Sequence, residues 1–334
     1  MPVHAFVFPG QGSQSVGMGR DLAAAFAAAR EVFQEVDDIL EQKLAKLMFE
    51  GPGEDLQLTE NTQPALMAMS LAVLRVLETE GGFRLPQKAI LVAGHSLGEY
   101  SALAAAGSFS VADAARLLKL RGRAMQKAVA PGEGAMAALL GVEMELALRI
   151  CAEAAVIPER EIDPEEENDP AEMPGQRQVV EPANDNGGGQ VVISGHRAAV
   201  ERAIEIAKTH GVRRAMLLPV SAPFHCALMA PAANAMADAF DRAMPHAPSV
   251  PLVGNVSAAK QTDPLTIRDG LIAQVTATVR WRESVQAMTA MGVTSFLELG
   301  AGRVLAGLVK RITPDAGAMS AATPAEIEAM LKVI

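Results

Sequence analysis

The chain is poor in cysteine, in aromatic residues and in basic charge, and each shortage closes off a class of function. Two cysteines in 334 residues, Cys151 and Cys226, cannot build a disulfide framework, and they fit a reducing compartment. Aromatic side chains make up 4% of the chain, with one Trp and one Tyr, too few for the stacking platforms of single-stranded nucleic-acid binders. Positive charge is not in excess: 29 Lys and Arg stand against 39 Asp and Glu, so no nucleic-acid surface is expected. No apolar run reaches the roughly 20 residues a membrane helix needs. The opening Met1-Pro2-Val3-His4 lacks the basic and then apolar pattern of a signal peptide. The expectation is a soluble cytoplasmic protein with no membrane contact.

Half of the residues are hydrophobic, enough for one large domain or two unequal ones. The net charge of −10 is unevenly spread. Between Glu159 and Glu181 nine acidic residues face two basic ones, which gives −7 there and leaves −3 for the rest. Residues 158–178 are rich in Pro and Glu and hold few apolar side chains, the composition of a surface excursion rather than of a core.

The apolar run Ala89-Ile90-Leu91-Val92-Ala93 leads into Gly94-His95-Ser96-Leu97-Gly98-Glu99, and a helical pattern follows. Strand, sharp Gly-flanked turn and helix form the setting of a nucleophile elbow, with a hydroxyl raised at the sheet edge. The plainer reading is a Ser capping an ordinary helix. A second strand-like run, Val3 to Phe8, ends in Pro9-Gly10-Gln11-Gly12-Ser13-Gln14. No Lys follows these glycines, so this is not the phosphate loop of nucleotide-binding proteins. It either turns the chain or aims backbone N–H groups at a reacting oxygen. A third such unit is Phe296-Leu297-Glu298-Leu299-Gly300. Repeated strand and helix predict an α/β body with a mostly parallel sheet. Gln11, Ser96 and Gly300 then lie at strand C-terminal ends, where ligands of such sheets gather.

Over 111–130, Leu117, Leu118, Met125, Ala128 and Val129 share one helical arc. Arg116, Lys119, Arg123 and Lys127 lie opposite, as a solvated face or as a docking face for an acidic partner. Arg121 falls inside the apolar arc, where a guanidinium must find an anion or snorkel out. Beyond Pro131, strand and helix patterns near 135–140, 143–155, 179–181, 190–194, 197–210 and 213–220 follow β-α-β-β-α-β order, the ferredoxin-like arrangement. The expected boundaries are 1–130 with 218–334 for a large domain and 131–217 for a small inserted one. After the last of these strands, His225 is a candidate general base, or else a core or loop histidine. Cys226 points away from it on extended backbone and reads as a buried apolar group.

Taken together, these motifs resemble the malonyl-coenzyme A:acyl-carrier-protein transacylase family. The resemblance rests on Phe8 to Gln14, Gly94 to Tyr100, Leu120-Arg121-Gly122, Asn184 to Gly195, Ser221 to Cys226, Gln274 with Val279-Arg280-Trp281, and Glu298-Leu299-Gly300, in family order almost end to end. It implies a hydrolase-like large domain with a ferredoxin-like insert, and transfer of malonyl from malonyl-coenzyme A to an acyl carrier protein for fatty acid elongation. Ser96 would be the nucleophile and His225 its base. Gln11 and Leu97 would supply oxyanion N–H groups, and Gln274 would orient His225 through its main-chain carbonyl. Arg121 would bind the malonyl carboxylate, with His95, Phe224 and Asn186 beside the substrate. No metal, no cofactor and a monomer are expected. Three departures stand out: the acidic stretch before Asn184 is longer than the family implies, Thr276-Ala277-Thr278 replaces a segment containing Asn-Pro before Val279, and Phe224 stands where many free-standing bacterial members carry Ser. The competing reading, a serine esterase or thioesterase of the hydrolase type, requires an acid between Ser96 and His225 in chain order to complete a triad.

Overall fold

The computed structural model describes residues 2–158 and 175–334; the acidic stretch expected over 158–178 therefore lies largely outside the described residues. Its flanks meet, because the Ile157 N–H donates to the Gln176 carbonyl at 2.9 Å and the Gly175 N–H to the Ile157 carbonyl at 3.0 Å.

In chain order the strands are β1 (His4–Phe8), β2 (Ala89–Gly94), β3 (Gly134–Leu140), β4 (Val180–Asp185), β5 (Gln190–His196), β6 (Arg214–Leu217), β7 (Leu252–Val253), β8 (Lys260–Gln261), β9 (Ser295–Leu299) and β10 (Gly317–Ala321). They form two sheets. The first has the order β10-β9-β1-β2-β7-β8, parallel except for β7 with β8. Its strands read as continuous apolar runs because both faces are covered. Phe6, Phe8 and Val92 face one core, with the helices Ala27–Leu40, Thr59–Gly81 and Val111–Lys127. Ala5, Val7, Leu91 and Ala93 face the other, with Trp281 and Val285 of helix Trp281–Ala290 and Leu305 and Leu308 of helix Val304–Ile312.

The second sheet, β4-β5-β3-β6, is antiparallel throughout. Alternation along its strands separates two destinations. Ala135, Ala137, Leu139, Val191 and Ile193 pack under helices Met144–Ala154 and Arg197–Thr209. Met136, Ala183 and Val192 turn the other way and join the large core. β4 also runs beside the chain at Val279: the Asp185 N–H donates to the Val279 carbonyl and the Val279 N–H to the Ala183 carbonyl, each at 2.9 Å.

Two expectations are corrected. The strand read at 179–181 extends to Asp185. Helix Thr59–Gly81 carries Pro64 inside its first turns. There Asn61 and Thr62 use their side chains to bond back to the Asp55 and Leu56 carbonyls. Lys119 is not solvated. Its side chain is 11% exposed and sits 3.0 Å from Glu60, because helix Thr59–Gly81 covers that side of Val111–Lys127.

Candidate active site

The site is built around the turn after β2. A Cβ on Gly94 would lie 1.9 Å from the Gly98 carbonyl carbon, and one on Gly98 would lie 2.1 Å from the Phe8 oxygen. Only glycine fits at either place, so the strand can fold directly back into helix Gly98–Ala105. Ser96 between them has φ +54°, a left-handed backbone that a non-glycine residue holds only when its surroundings impose it. Asn255 imposes it here: its Oδ1 accepts from the Ser96 N–H at 2.8 Å, and its amide donates to the Gly94 carbonyl at 2.6 Å. His225 shares this rare conformation, at φ +61°.

The Ser96 hydroxyl donates to His225 Nε2 at 2.8 Å, and His225 Nδ1 donates to the Gln274 main-chain carbonyl at 2.8 Å. Burial, then the Arg121 guanidinium nearby, push the His225 imidazole down to about 3, only partly offset by the Gln274 carbonyl. It is thus a neutral ring with a free Nε2 lone pair at pH 7, the state a general base needs. Among the described residues no carboxylate bonds to His225, so a Ser-His-acid triad is not formed.

Arg121 reaches the same hydroxyl from helix Val111–Lys127. The neighbouring Gly122 lets that helix touch Thr59–Gly81: a Cβ there would lie 2.5 Å from Glu60 Cα. The guanidinium is buried at 1% exposure, with no ion-pair partner among the described residues. Its Nη1 donates to Gln63 Oε1 at 3.0 Å, and its Nη2 donates to Gln274 Oε1 at 2.9 Å and Ser96 Oγ at 3.2 Å. The Tyr100 ring also lies 5.6 Å from its central carbon, and a buried cation whose hydrogen bonds go to neutral oxygens is a ready site for a small anion.

Ser96, His225 and Arg121 open onto a cavity of about 500 Å³, lined also by Gln11, Leu97, His95, Asn186 and Phe224. Met136, Asn184 and Val192 of the antiparallel sheet form one wall, and Val304, Leu305 and Leu308 another. The Gln11 and Leu97 backbone N–H groups have no acceptor among the described residues, an open pair beside the hydroxyl. His95 Nε2 donates to Asn186 Oδ1 at 2.9 Å. Gln274 stands behind the cavity and is reached through its hydrogen bonds. A larger hollow of about 970 Å³, lined by Val156, Ile204 and Leu217, contains none of these groups. Both cysteines are buried, which pushes the Cys226 thiol up to about 11 and keeps it from acting as a nucleophile.

The residues read from the sequence thus converge, but three of their partners were not singled out. Gln63 ends the polar stretch Thr59-Glu60-Asn61-Thr62 ahead of the apolar helical run, so nothing local sets it apart. Glu99 lies one turn beyond Ser96 inside the elbow motif; its carboxylate accepts from Gln274 Nε2 at 2.8 Å and from the Asn255 N–H at 3.1 Å. Asn255, 159 residues from Ser96 along the chain, carries no local signal at all.

Comparison with known proteins agrees with this geometry. A family model described as acyl transferase domain matches residues 5–166. The malonyl CoA-acyl carrier protein transacylase of Escherichia coli K12 is 44% identical over 333 residues, all of both chains. The crystal structure of acyl-carrier-protein-S-malonyltransferase from Bartonella henselae is 52% identical, with a TM-score of 0.90 over 99% of each chain. A malonyl-transacylase solved in complex with a type II PKS acyl-carrier protein is 42% identical, with a TM-score of 0.90 over 99% of this chain and all of that one. Identity at this level over whole chains establishes that this chain belongs to the malonyl CoA-acyl carrier protein transacylase family.

Proposed function

We propose that the chain transfers malonyl from malonyl-coenzyme A to the pantetheine thiol of an acyl carrier protein, through an ester at Ser96. The observation that carries this reading is one hydroxyl shared by a neutral imidazole at 2.8 Å and a buried guanidinium at 3.2 Å. Moving a thioester between two thiols through a serine ester splits one hard step into two. His225 Nε2 takes the Ser96 proton as Oγ attacks the thioester carbonyl. The Gln11 and Leu97 N–H groups receive the developing oxyanion, each such donor contributing about 3 kcal/mol. Collapse expels the coenzyme A thiolate, to which His225 returns the proton. The carrier thiol then repeats the sequence in reverse.

Arg121 holds the free carboxylate of the malonyl group. An acyl group without that carboxylate leaves the guanidinium buried and unpaired, which is the basis of discrimination. His95, Asn186 and Phe224 are read as substrate-side walls. The large unit, 1–130 with 218–334, is read as hydrolase-like, and 131–217 as a ferredoxin-like insert, supported by its strand order. Each step draws on side-chain and backbone groups of one chain; the reading is of a cytoplasmic monomer acting without a metal or cofactor. Intact mass spectrometry after incubation with malonyl-coenzyme A tests the reading. One malonyl adduct is expected on the wild-type chain and none on Ser96→Ala; an adduct that persists in Ser96→Ala refutes it.

A further inference from the structure

Among the buried ionisable groups that the mechanism above leaves unused, Glu99 is the one bonded to Gln274. Glu99 is 2% exposed and projects from the first turn of helix Gly98–Ala105, directly behind the nucleophile. Its Oε2 meets Gln274 Nε2 at 2.8 Å, and Oε1 of the same amide meets Arg121 Nη2 at 2.9 Å. The side-chain amide of Gln274 therefore bridges a carboxyl and a guanidinium that do not touch. Its donor end faces Glu99 and its acceptor end faces Arg121, the orientation that links an anion to a cation. The other charged or titratable group facing Glu99 is its neighbour Tyr100. The elements packed against it contribute Arg121 from helix Val111–Lys127 and neutral groups at Gln274 and Asn255.

We propose that Glu99 is the resting counterion of Arg121 and that the malonyl carboxylate displaces it from that role, Glu99 taking a proton from solvent as the substrate binds. This rests on the carboxylate-clamp reading of Arg121. Two carboxylates cannot both stay ionised around one buried guanidinium without a large electrostatic cost. The substrate carboxylate reaches the cation directly, whereas Glu99 reaches it through an amide, so Glu99 is the one that neutralises. The proton is released again when malonyl leaves on the carrier thiol. Burial already holds the Glu99 carboxyl up at about 7, against the lowering pull of Asn255, Gln274 and Arg121, so little further change is needed. Glu99 thus acts as a positioning and specificity residue that never touches the reacting atoms.

The sign follows from linkage. If binding takes up a proton, malonyl affinity falls as pH rises above 7, by about tenfold between pH 7 and 8.5 if the carboxyl moves up by roughly two units. The experiment is calorimetric titration of Ser96→Ala protein, which cannot be acylated, with malonyl-coenzyme A and separately with acetyl-coenzyme A. Two buffers of different ionisation heat are used at each of several pH values. The acetyl titration measures protons taken by the coenzyme A moiety itself. Malonyl is expected to take up additional protons above that control, and the additional Glu99→Gln substitution is expected to abolish both the excess and the pH slope. Glutamine keeps an acceptor for Gln274 and Asn255, so a structural role alone would not move either readout. Should the Gln variant fail to fold, the excess uptake in the Ser96→Ala protein still decides the matter. A malonyl preference with no extra proton, or a pH slope that survives in Glu99→Gln, overturns the exchange. Equal binding of malonyl and acetyl overturns the clamp beneath it as well.

Discussion

The parallel sheet and the antiparallel sheet both border the cavity, but they do so in different ways. From the parallel side come Ser96, Arg121, His225 and Gln274, tied to one another by hydrogen bonds of 2.8 to 3.2 Å. From the antiparallel side come a wall of Met136, Asn184 and Val192 and a polar link from Asn186 to His95. The antiparallel sheet also has a core of its own beneath two helices, separate from the core behind the nucleophile. Chemistry and enclosure are thus assigned to different parts of one chain. Damage to the first part should remove a reaction, whereas damage to the second should cost stability or affinity.

The sharpest test of that division is Arg121→Ala. It should lower kcat/KM for malonyl-coenzyme A by about 10²- to 10³-fold, because an anion then enters a site with no cation. The rate with acetyl-coenzyme A should change far less. Steady-state kinetics with both substrates reads this, and an equal loss on both would assign Arg121 to holding Ser96 rather than to choosing the acyl group. On the other side, Ile193→Ala empties a fully buried position under the helices of the antiparallel sheet. A loss of about 2–5 kcal/mol in unfolding free energy is expected, with kcat per folded molecule unchanged. Denaturant melts paired with active-site titration separate the two quantities. A fall in kcat at full folding would mean that the wall also steers chemistry.

This division was legible in the sequence to different depths. The elbow announced itself because steric exclusion is local: Gly94 and Gly98 meet across four residues, and any other residue at either place collides with backbone. Arg121 was marked by its place inside an apolar arc, a contradiction visible without coordinates. Asn255 was not, since what makes it matter is contact with Ser96 and Gly94 from the turn just after a strand of only two residues. β8 and β10 were missed because Lys260–Gln261 and Gly317–Ala321 are edge strands without the apolar run of a central one. Lys119 was misplaced because helix periodicity assigns a side to a residue but does not say which helix covers it. Glu60 comes from the facing helix, and no pattern within 111–130 contains it.

Acid should probe the parallel side alone. The unfolded chain protonates the imidazole of residue 225 near 6.5, whereas the folded one holds it neutral down to about 3. Between those values the unfolded state binds the extra proton, so this group lowers stability as pH falls from about 6.5 toward 3. The acylation rate, measured by rapid mixing while the protein stays folded, should keep its base through pH 6 and show its acid limb well below the usual histidine range. A limb near 6.5 would mean that the ring is solvated and that the enclosure by the antiparallel wall is incomplete.

The smallest effect is expected where the two regions touch. Asn186 follows β4 and accepts the His95 Nε2–H at 2.9 Å. Asn186→Ala removes one hydrogen bond of a kind that contributes about 0.5–1.5 kcal/mol. His95 stays attached to the elbow through its own backbone, whose N–H donates to the Phe8 carbonyl at 3.0 Å. The Ser96–His225 pair and the Arg121 contacts do not pass through Asn186. KM for malonyl-coenzyme A should therefore rise by about threefold with kcat held, because a wall loosens while the reacting groups stay in register. If kcat instead fell as far as it does in Arg121→Ala, this polar link from the antiparallel side to His95 would be part of the chemistry, and the separation of the two regions would fail there.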